Sequence, residues 1–367
     1  MSVASPTWLE INLSAVTGNC AHLLHDTGTP LMAIVKGDAY GHGAPEVARA
    51  AVAGGATWLG VARFGEARGL RQQGLRAPIL VMGMVTAAEV DEAIAGDVTL
   101  TLHSPETLDL FAARARAAGR PVRAHIKVDT GLGRLGLLAP DLLAFVQQAR
   151  AAGGLVIDGL YSHLAAAEAP HPLNDLQIAR FQAAVSALEA HGLRPRRVHL
   201  ANSAAAFAWP QARYDLVRVG NVVLGLRIRL DQPLPERYRP ALAWKARLAA
   251  CRRLPAGWGV GYGPDYTTAG AEIIGVVPVG YGDGLRRGPG NQVLIGGEKR
   301  PVVGRLSLDQ LMVRLPRAYP MGEEVVILGR QGEAAIWAHD LAALYQTTQV
   351  DLTTRIHWRV PRIYVRD

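Results

Sequence analysis

Cysteine is almost missing from this chain: Cys20 and Cys251 are the only two. They form neither a disulfide framework nor a metal-ligand spacing, so a reduced compartment is the default and no metal site is expected. Lysine is nearly as scarce, confined to positions 36, 127, 245 and 299. Arginine takes its place, and 39 basic against 31 acidic residues leave a net charge of +8. No basic tail or long basic run gathers that charge, so it reads as compositional bias and nucleic acid is not an expected partner. No apolar stretch is long enough to span a bilayer. Met1 to Pro6 lack the basic and apolar segments of a signal peptide. A cytoplasmic protein without a membrane partner is expected. Sequence repeats and low-complexity tracts are absent too. So is a Gly-x-Gly-x-x-Gly turn after the first strand, which argues against a dinucleotide site.

What is present is enough apolar material for a large core: 49% of 367 residues. Apolar, strand-like runs end near Lys36, Ala62, Gly83, His103, Asp129, Leu164, Ser203 and Gly220. Helix-like segments separate them, among them Pro45 to Ala53, Glu66 to Gln73, Ala87 to Ala95, Glu106 to Ala118 and Leu176 to His191. Eight strands alternating with helices at roughly 25-residue spacing predict an α/β fold, a (β/α)8 TIM-type barrel. After Leu226 the pattern turns to short strands punctuated by Gly and Pro. They cover Leu242 to Arg252, Ile273 to Val279, Gln292 to Ile295, Pro301 to Leu306, Gln310 to Arg314 and Glu324 to Leu328, with one helix at His339 to Leu344. Pro233, Pro235 and Pro240 mark the junction. The expected division is a barrel over 10–232 and a mostly-β C-terminal domain over 233–367. The strand-like start at 1–9 is expected to join the second domain.

Barrels do chemistry at the C-terminal ends of their strands. Lys36 ends the first, after the apolar run Leu31 to Val35 and before a glycine-punctuated turn. A lysine there is costly unless it has work, and a desolvated amine can condense with a carbonyl group, as in pyridoxal phosphate (PLP). Lys127 ends the fifth strand, followed by Arg134; His163 ends the sixth. His199 lies on the seventh, with Asn202 and Ser203 after it, and Arg218 on the eighth, with Gly220 and Asn221 after it. The loops after the last two strands often bind phosphate. Each residue also has a plainer reading. His163 and His199 fit hydrogen-bonded core histidines, Arg218 an ion pair with Asp215, Ser203 a helix cap, and Lys127 a pair with Asp129. Their convergence on one barrel face favours a site.

The run Ala33-Ile34-Val35-Lys36-Gly37-Asp38-Ala39-Tyr40-Gly41-His42-Gly43 resembles the PLP-attachment motif of bacterial alanine racemases. The likeness continues through His125 to Gly136, Ala201 to Ala204 and Val217 to Gly220. In the second domain it includes Val260 to Gly263, Val279 to Gly284, Val303 to Arg305, Leu308 to Gln310 and Arg359 to Arg362. The resemblance implies an amino-acid racemase that uses PLP, acts on alanine, and is a head-to-tail homodimer with shared sites. It implies Lys36 as the PLP anchor and one base, and Tyr262 of the partner subunit as the second. Arg218 would face the ring nitrogen, with His163 and His199 holding it. Tyr40, Ser203, Gly220 and Asn221, beside Asn202, would contact the phosphate. Arg134 would orient the substrate carboxylate, with Tyr281 and the Leu308 backbone N–H. Lys127 occupies a position often carbamylated in the family.

The chain departs from the family form at Gly37-Asp38, usually Ala-Asn, and at Ser307-Leu308, usually Cys-Met. Asn221 replaces an apolar residue. Leu224 and Val350 each replace a tyrosine, and the one at Val350 usually narrows the pocket. These departures leave serine or a broader set of side chains open beside alanine. A decarboxylase on the same architecture would use an acidic partner at the ring nitrogen, which Arg218 argues against. A non-catalytic PLP-binding protein would resemble the barrel alone.

Overall fold

The computed structural model describes residues 5–263 and 265–367. The first strand, β1, spans Thr7–Asn12, so residues 1–4 of the strand expected at 1–9 lie outside the described residues. Asn12 then caps the helix Leu13–Thr27, its side chain accepting the Ala15 N–H at 2.9 Å. Eight parallel strands follow: β2 Leu31–Ile34, β3 Trp58–Val61, β4 Ile79–Val81, β5 Leu100–Leu102, β6 Val122–Asp129, and, after the two-residue β7 Leu137–Leu138, β8 Leu155–Tyr161, β9 Arg197–His199 and β10 Val217–Val219.

They pair in the order β10-β2-β3-β4 and β5-β6-β8-β9. A parallel bridge from Leu80 to Thr99 joins the two groups on one side. On the other, the Arg218 N–H donates to the Ala201 carbonyl at 3.0 Å. The barrel is thereby closed. β2 to β5 are buried at every position. That is the burial expected of parallel strands covered by helices on one side and barrel core on the other.

The rest of the chain builds one long sheet. Its strands are β11 Leu242–Arg247, β12 Ala250–Leu254, β13 Glu272–Val277, β14 Gln292–Ile295, β15 Glu298–Val303, β16 Leu311–Leu315, β17 Glu324–Gln331, β18 Ala334–Ile336 and β19 Arg362–Val365. The run expected as one strand from Leu242 to Arg252 is two, broken at Leu248 and Ala249. β11 alternates buried and half-buried residues, the mark of an antiparallel strand with one face on a core. The sheet order is β12-β13-β16-β15-β14-β17-β11-β1-β19. β1 therefore sits in the second domain's sheet, antiparallel to β11 and parallel to β19. Fully buried Trp244 fixes that seam, its Nε1–H donating to Thr7 Oγ1 at 2.9 Å. A helix at Gln349–Thr354 and strand β19 were not evident from the pattern, and both pack near the first barrel strand's end.

Candidate active site

A cavity of about 600 Å³ opens among the ends of the barrel strands. Lys36, Tyr40, Lys127, Arg134, His163, Asn202, Ser203, Arg218, Gly220 and Asn221 all line it. Val350, from the helix Gln349–Thr354, contributes from the second domain. Four cations thus face one space, with Glu168 as the single carboxylate among its described lining residues. Such a field favours anionic ligands.

Lys36 follows β2 after a single residue, Val35. Its amine is held below the ordinary lysine value, first by burial and then by the Arg134 and Arg218 charges; Glu66 pulls the other way. The chain leaves Lys36 through a left-handed turn, with φ of 62° at Gly37, 54° at Asp38, 51° at Ala39 and 53° at Tyr40. This turn swings Tyr40 back across the cavity toward Gly220. A Cβ added at Gly220 would stand 2.6 Å from the Tyr40 hydroxyl, so only glycine permits that approach. Asn202 is the cap of the helix Ser203–Ala208, accepting the Ala205 N–H at 3.0 Å. Ser203 is therefore not the cap. Its hydroxyl accepts the Gly220 N–H at 3.2 Å.

Arg218 is buried and has no carboxylate partner among the described residues. Asp215, its candidate partner, pairs with Arg194 instead at 2.8 Å. The guanidinium donates to the Ser162, His199 and Leu200 carbonyls at 2.7, 2.9 and 3.0 Å. It also meets Nδ1 of His199 at 3.0 Å and of His163 at 3.3 Å. Arginine has no acceptor, so both Nδ1 atoms must accept and the protons sit on Nε2. His199 Nε2–H then donates to His125 Nδ1 at 2.9 Å. His199 lies behind Arg218 and does not line the cavity. Burial lowers the Arg218 pKa to about 10, which leaves it charged at neutral pH.

Lys127 does not pair with Asp129, whose oxygens accept the Gly131, Leu132 and Arg134 N–H groups. Its amine lies 4.4 Å from the centre of the Tyr161 ring. Burial, then Arg218 and Arg134, push it down to about 7. Tyr161 stacks on His199 and bonds Thr101 Oγ1 at 2.8 Å. Sequence reading gave Tyr161 no role; its place two residues before His163, at the end of β8, was the available signal.

Tyr262, Tyr281 and Leu308 do not line this cavity. Tyr262 is 66% exposed, out on the second domain's surface. Leu224, a position expected to reshape the pocket, is buried in the core and does not line it either. Asn221 and Val350 do.

The donor set fits PLP: a lysine amine of lowered pKa, an arginine with no carboxylate partner among the described residues, and hydroxyl and backbone groups around Ser203 and Gly220. Residues 11–228 match the family model "Alanine racemase, N-terminal domain", and residues 241–364 match "Alanine racemase, C-terminal domain". The chain belongs to the alanine racemase family. It is 42% identical to the alanine racemase of Symbiobacterium thermophilum, over 98% of this chain and 97% of that one. With the Desulfovibrio desulfuricans alanine racemase it shares 37% identity over the whole of both chains. Its fold matches the crystal structure of alanine racemase from D-cycloserine-producing Streptomyces lavendulae with a TM-score of 0.92, at 37% identity and over 99% and 98% of the two chains. The Bacillus anthracis alanine racemase with bound L-Ala-P matches at 0.93, with 35% identity over 100% and 97%. This alanine racemase family member is thus a PLP-dependent isomerase with a barrel and a mostly-β second domain. No helix among its described residues is long and apolar enough to cross a membrane.

Burial also sets how this family member responds to acid. It holds His42, His125 and His163 down at about 4, 3 and 2, and His199 well below 6.5. Folded values below the unfolded value mean that the unfolded chain binds more protons in that window, so stability rises with pH. The contribution is complete above about pH 6.5 and is lost as pH falls toward the folded values. Urea midpoints are expected to drop between about pH 7.5 and pH 5.5, above the range where carboxylates titrate. A flat midpoint there would contradict the neutral burial of these rings.

Proposed function

We propose that this chain racemises alanine, interconverting the L and D forms with two bases on opposite faces of the substrate. The observation that carries the reading is the half-buried Lys36 amine, of lowered pKa, in one cavity with the Arg218 guanidinium, which has no carboxylate partner among the described residues. Bound PLP supplies the electron sink that makes the α-proton acidic. Lys36 Nζ would anchor the cofactor through its aldehyde and, when released as the free amine, would move the α-proton on one face. Tyr262 of the partner subunit serves the other face through Oη; exposed in its own chain, it is free to reach a neighbour's cavity. The arrangement makes the protein a head-to-tail homodimer with shared sites. Tyrosine ordinarily titrates near 10, so cationic neighbours must favour its phenolate.

Arg218 presents donors only and keeps its proton, so a cofactor ring nitrogen held against it would stay unprotonated. That would moderate the electron sink and limit side reactions. His163 and His199, accepting from Arg218, fix its plane. Tyr40, Ser203, Gly220 and Asn221 hold the phosphate beside Asn202. Arg134 orients the substrate carboxylate, with Tyr281 and the Leu308 N–H of the partner subunit. Lys127, a buried amine pushed down to about 7 by burial, Arg218 and Arg134, is suited to carbamylation, and the anion formed would pair with Arg134. The protein works in the cytoplasm and supplies D-alanine.

A second reading, racemisation of serine or longer side chains as well, rests on Val350, a modest aliphatic wall where the family form carries tyrosine. NMR of α-proton exchange in D₂O across a panel of L-amino acids, with chiral analysis, separates the two. D-Alanine appearing foremost is the expected result. Stronger exchange with serine would favour the second reading, and no exchange with any substrate would sink both.

A further inference from the structure

The left-handed turn after Lys36 carries three non-glycine residues, Asp38, Ala39 and Tyr40, at φ near 50°. L-residues disfavour that region, so their surroundings must hold them there. Two side chains from distant parts of the chain grip the turn at its two ends. At its start, Glu66 Oε1 accepts the Gly37 N–H at 2.5 Å. Its Oε2 accepts the Ala62 and Arg63 N–H groups at 2.8 and 2.9 Å, at the start of the helix Phe64–Gln72. Glu66 has no ion pair among the described residues. Its charge is spent on three backbone donors that tie the end of β3 to the turn. At the far end, Arg362 of β19 donates from Nε to the Gly41 carbonyl at 3.2 Å. Its other nitrogens donate to the Ile356, His357 and Val360 carbonyls at 2.9, 2.9 and 2.7 Å. The guanidinium thus bolts the turn to the loop between the helix Gln349–Thr354 and β19. The contact is close: a Cβ at Gly41 would lie 2.2 Å from the Thr353 carbonyl oxygen.

We propose that Glu66 and Arg362 are positioning residues that clamp the left-handed turn and so set where Lys36 Nζ and Tyr40 Oη stand in the cavity. The proposal rests on the reading of Lys36 as the PLP anchor. Both residue types are specific to the task. Only a carboxylate accepts on both oxygens, and a glutamine would turn an N–H₂ group onto a backbone N–H. A planar fork of five donors reaches the four carbonyls that Arg362 bonds, one more than a lysine's three donors could.

The test uses the PLP-loaded enzyme with Glu66→Gln, Arg362→Ala and Arg362→Lys. It reads kcat and KM for L-alanine, visible circular dichroism of the bound cofactor, and thermal melting. A displacement of about 1 Å at a reacting group costs about 100-fold, so kcat is expected to fall about 10- to 100-fold while KM moves less than about threefold. The visible dichroism should change shape with PLP still bound, and Arg362→Lys should recover part of what Arg362→Ala loses. A lowered melting temperature with unchanged kcat and dichroism would make the role structural only and overturn the proposal. If Arg362→Ala fails to fold, Glu66→Gln and Arg362→Lys decide. The underlying reading fails separately: wild-type protein that gives no PLP band, or a band that survives Lys36→Ala, removes the anchor and the clamp with it. A band that Lys36→Ala abolishes, beside wild-type behaviour in the clamp variants, removes the clamp alone.

Discussion

Lys36→Ala is expected to remove the visible absorption of bound PLP and to lower racemisation by at least about 10⁴-fold, the upper end of what one acid–base group contributes. Two losses coincide in this substitution. The amine that holds the cofactor goes, and so does the base on that face of the substrate. Lys36 is the cavity amine best placed for both. Lys127, the other lysine there, is 95% buried against Tyr161 and lies on the far side of the barrel mouth. Protein spectra with added PLP, followed by borohydride reduction and peptide mapping, check the anchor directly. PLP recovered on Lys127, or a retained visible band, would overturn the assignment. Because Lys36 is only half-buried and the turn after it is held from elsewhere, the variant should melt close to wild type without PLP, which separates loss of chemistry from loss of fold.

Tyr262→Phe is expected to cut racemisation about 10²- to 10⁴-fold while leaving PLP absorption unchanged. Exchange of the α-proton of one enantiomer should outlast racemisation, because the base on the other face remains. The sharing of sites gives this variant a second readout. Mixing Lys36→Ala with Tyr262→Phe subunits yields hybrids with one intact site when each site takes its tyrosine from the partner. Random assortment should then restore about a quarter of wild-type activity. Sites completed within one chain would restore none, and a fully active Tyr262→Phe protein would end the two-base account.

The barrel was legible because its strands are short apolar runs that stop at glycine and polar residues, each followed by a helix with an apolar stripe. Every strand end expected from Lys36 to Gly220 is matched by a barrel strand within a few residues. β1 was expected to join the second domain, but a strand's own pattern does not say which strands it will lie between, and β11 and β19 take it. Residues at or just after strand ends were found by a rule of architecture, and nine of them meet in one cavity; Tyr40, also there, came only from the family motif. Val350 was noticed only against the family form, because a short polar helix at Gln349–Thr354 has no strong period. Glu66 went unnoticed because a glutamate in the first turn of a helix reads as a cap. It is one, and its second oxygen does a further job that only the fold reveals. Leu224 drew notice because the family form carries tyrosine there, but it is buried in the core and does not line the cavity.

The pairing of β1 has a consequence for how the molecule is made. Thr7 bonds to Lys245, 238 residues away, and β19 lies along the other side of β1 at the end of the chain. β1 is thus made before every barrel strand, yet both strands it pairs with, β11 and β19, follow the barrel in the chain. All eight barrel strands can emerge and close while it waits. Its long-range pairing then completes the second domain late in folding. The same last strand brings Arg362 to the lysine turn. The turn after Lys36 therefore receives its Arg362 contact only once β19 has paired with β1.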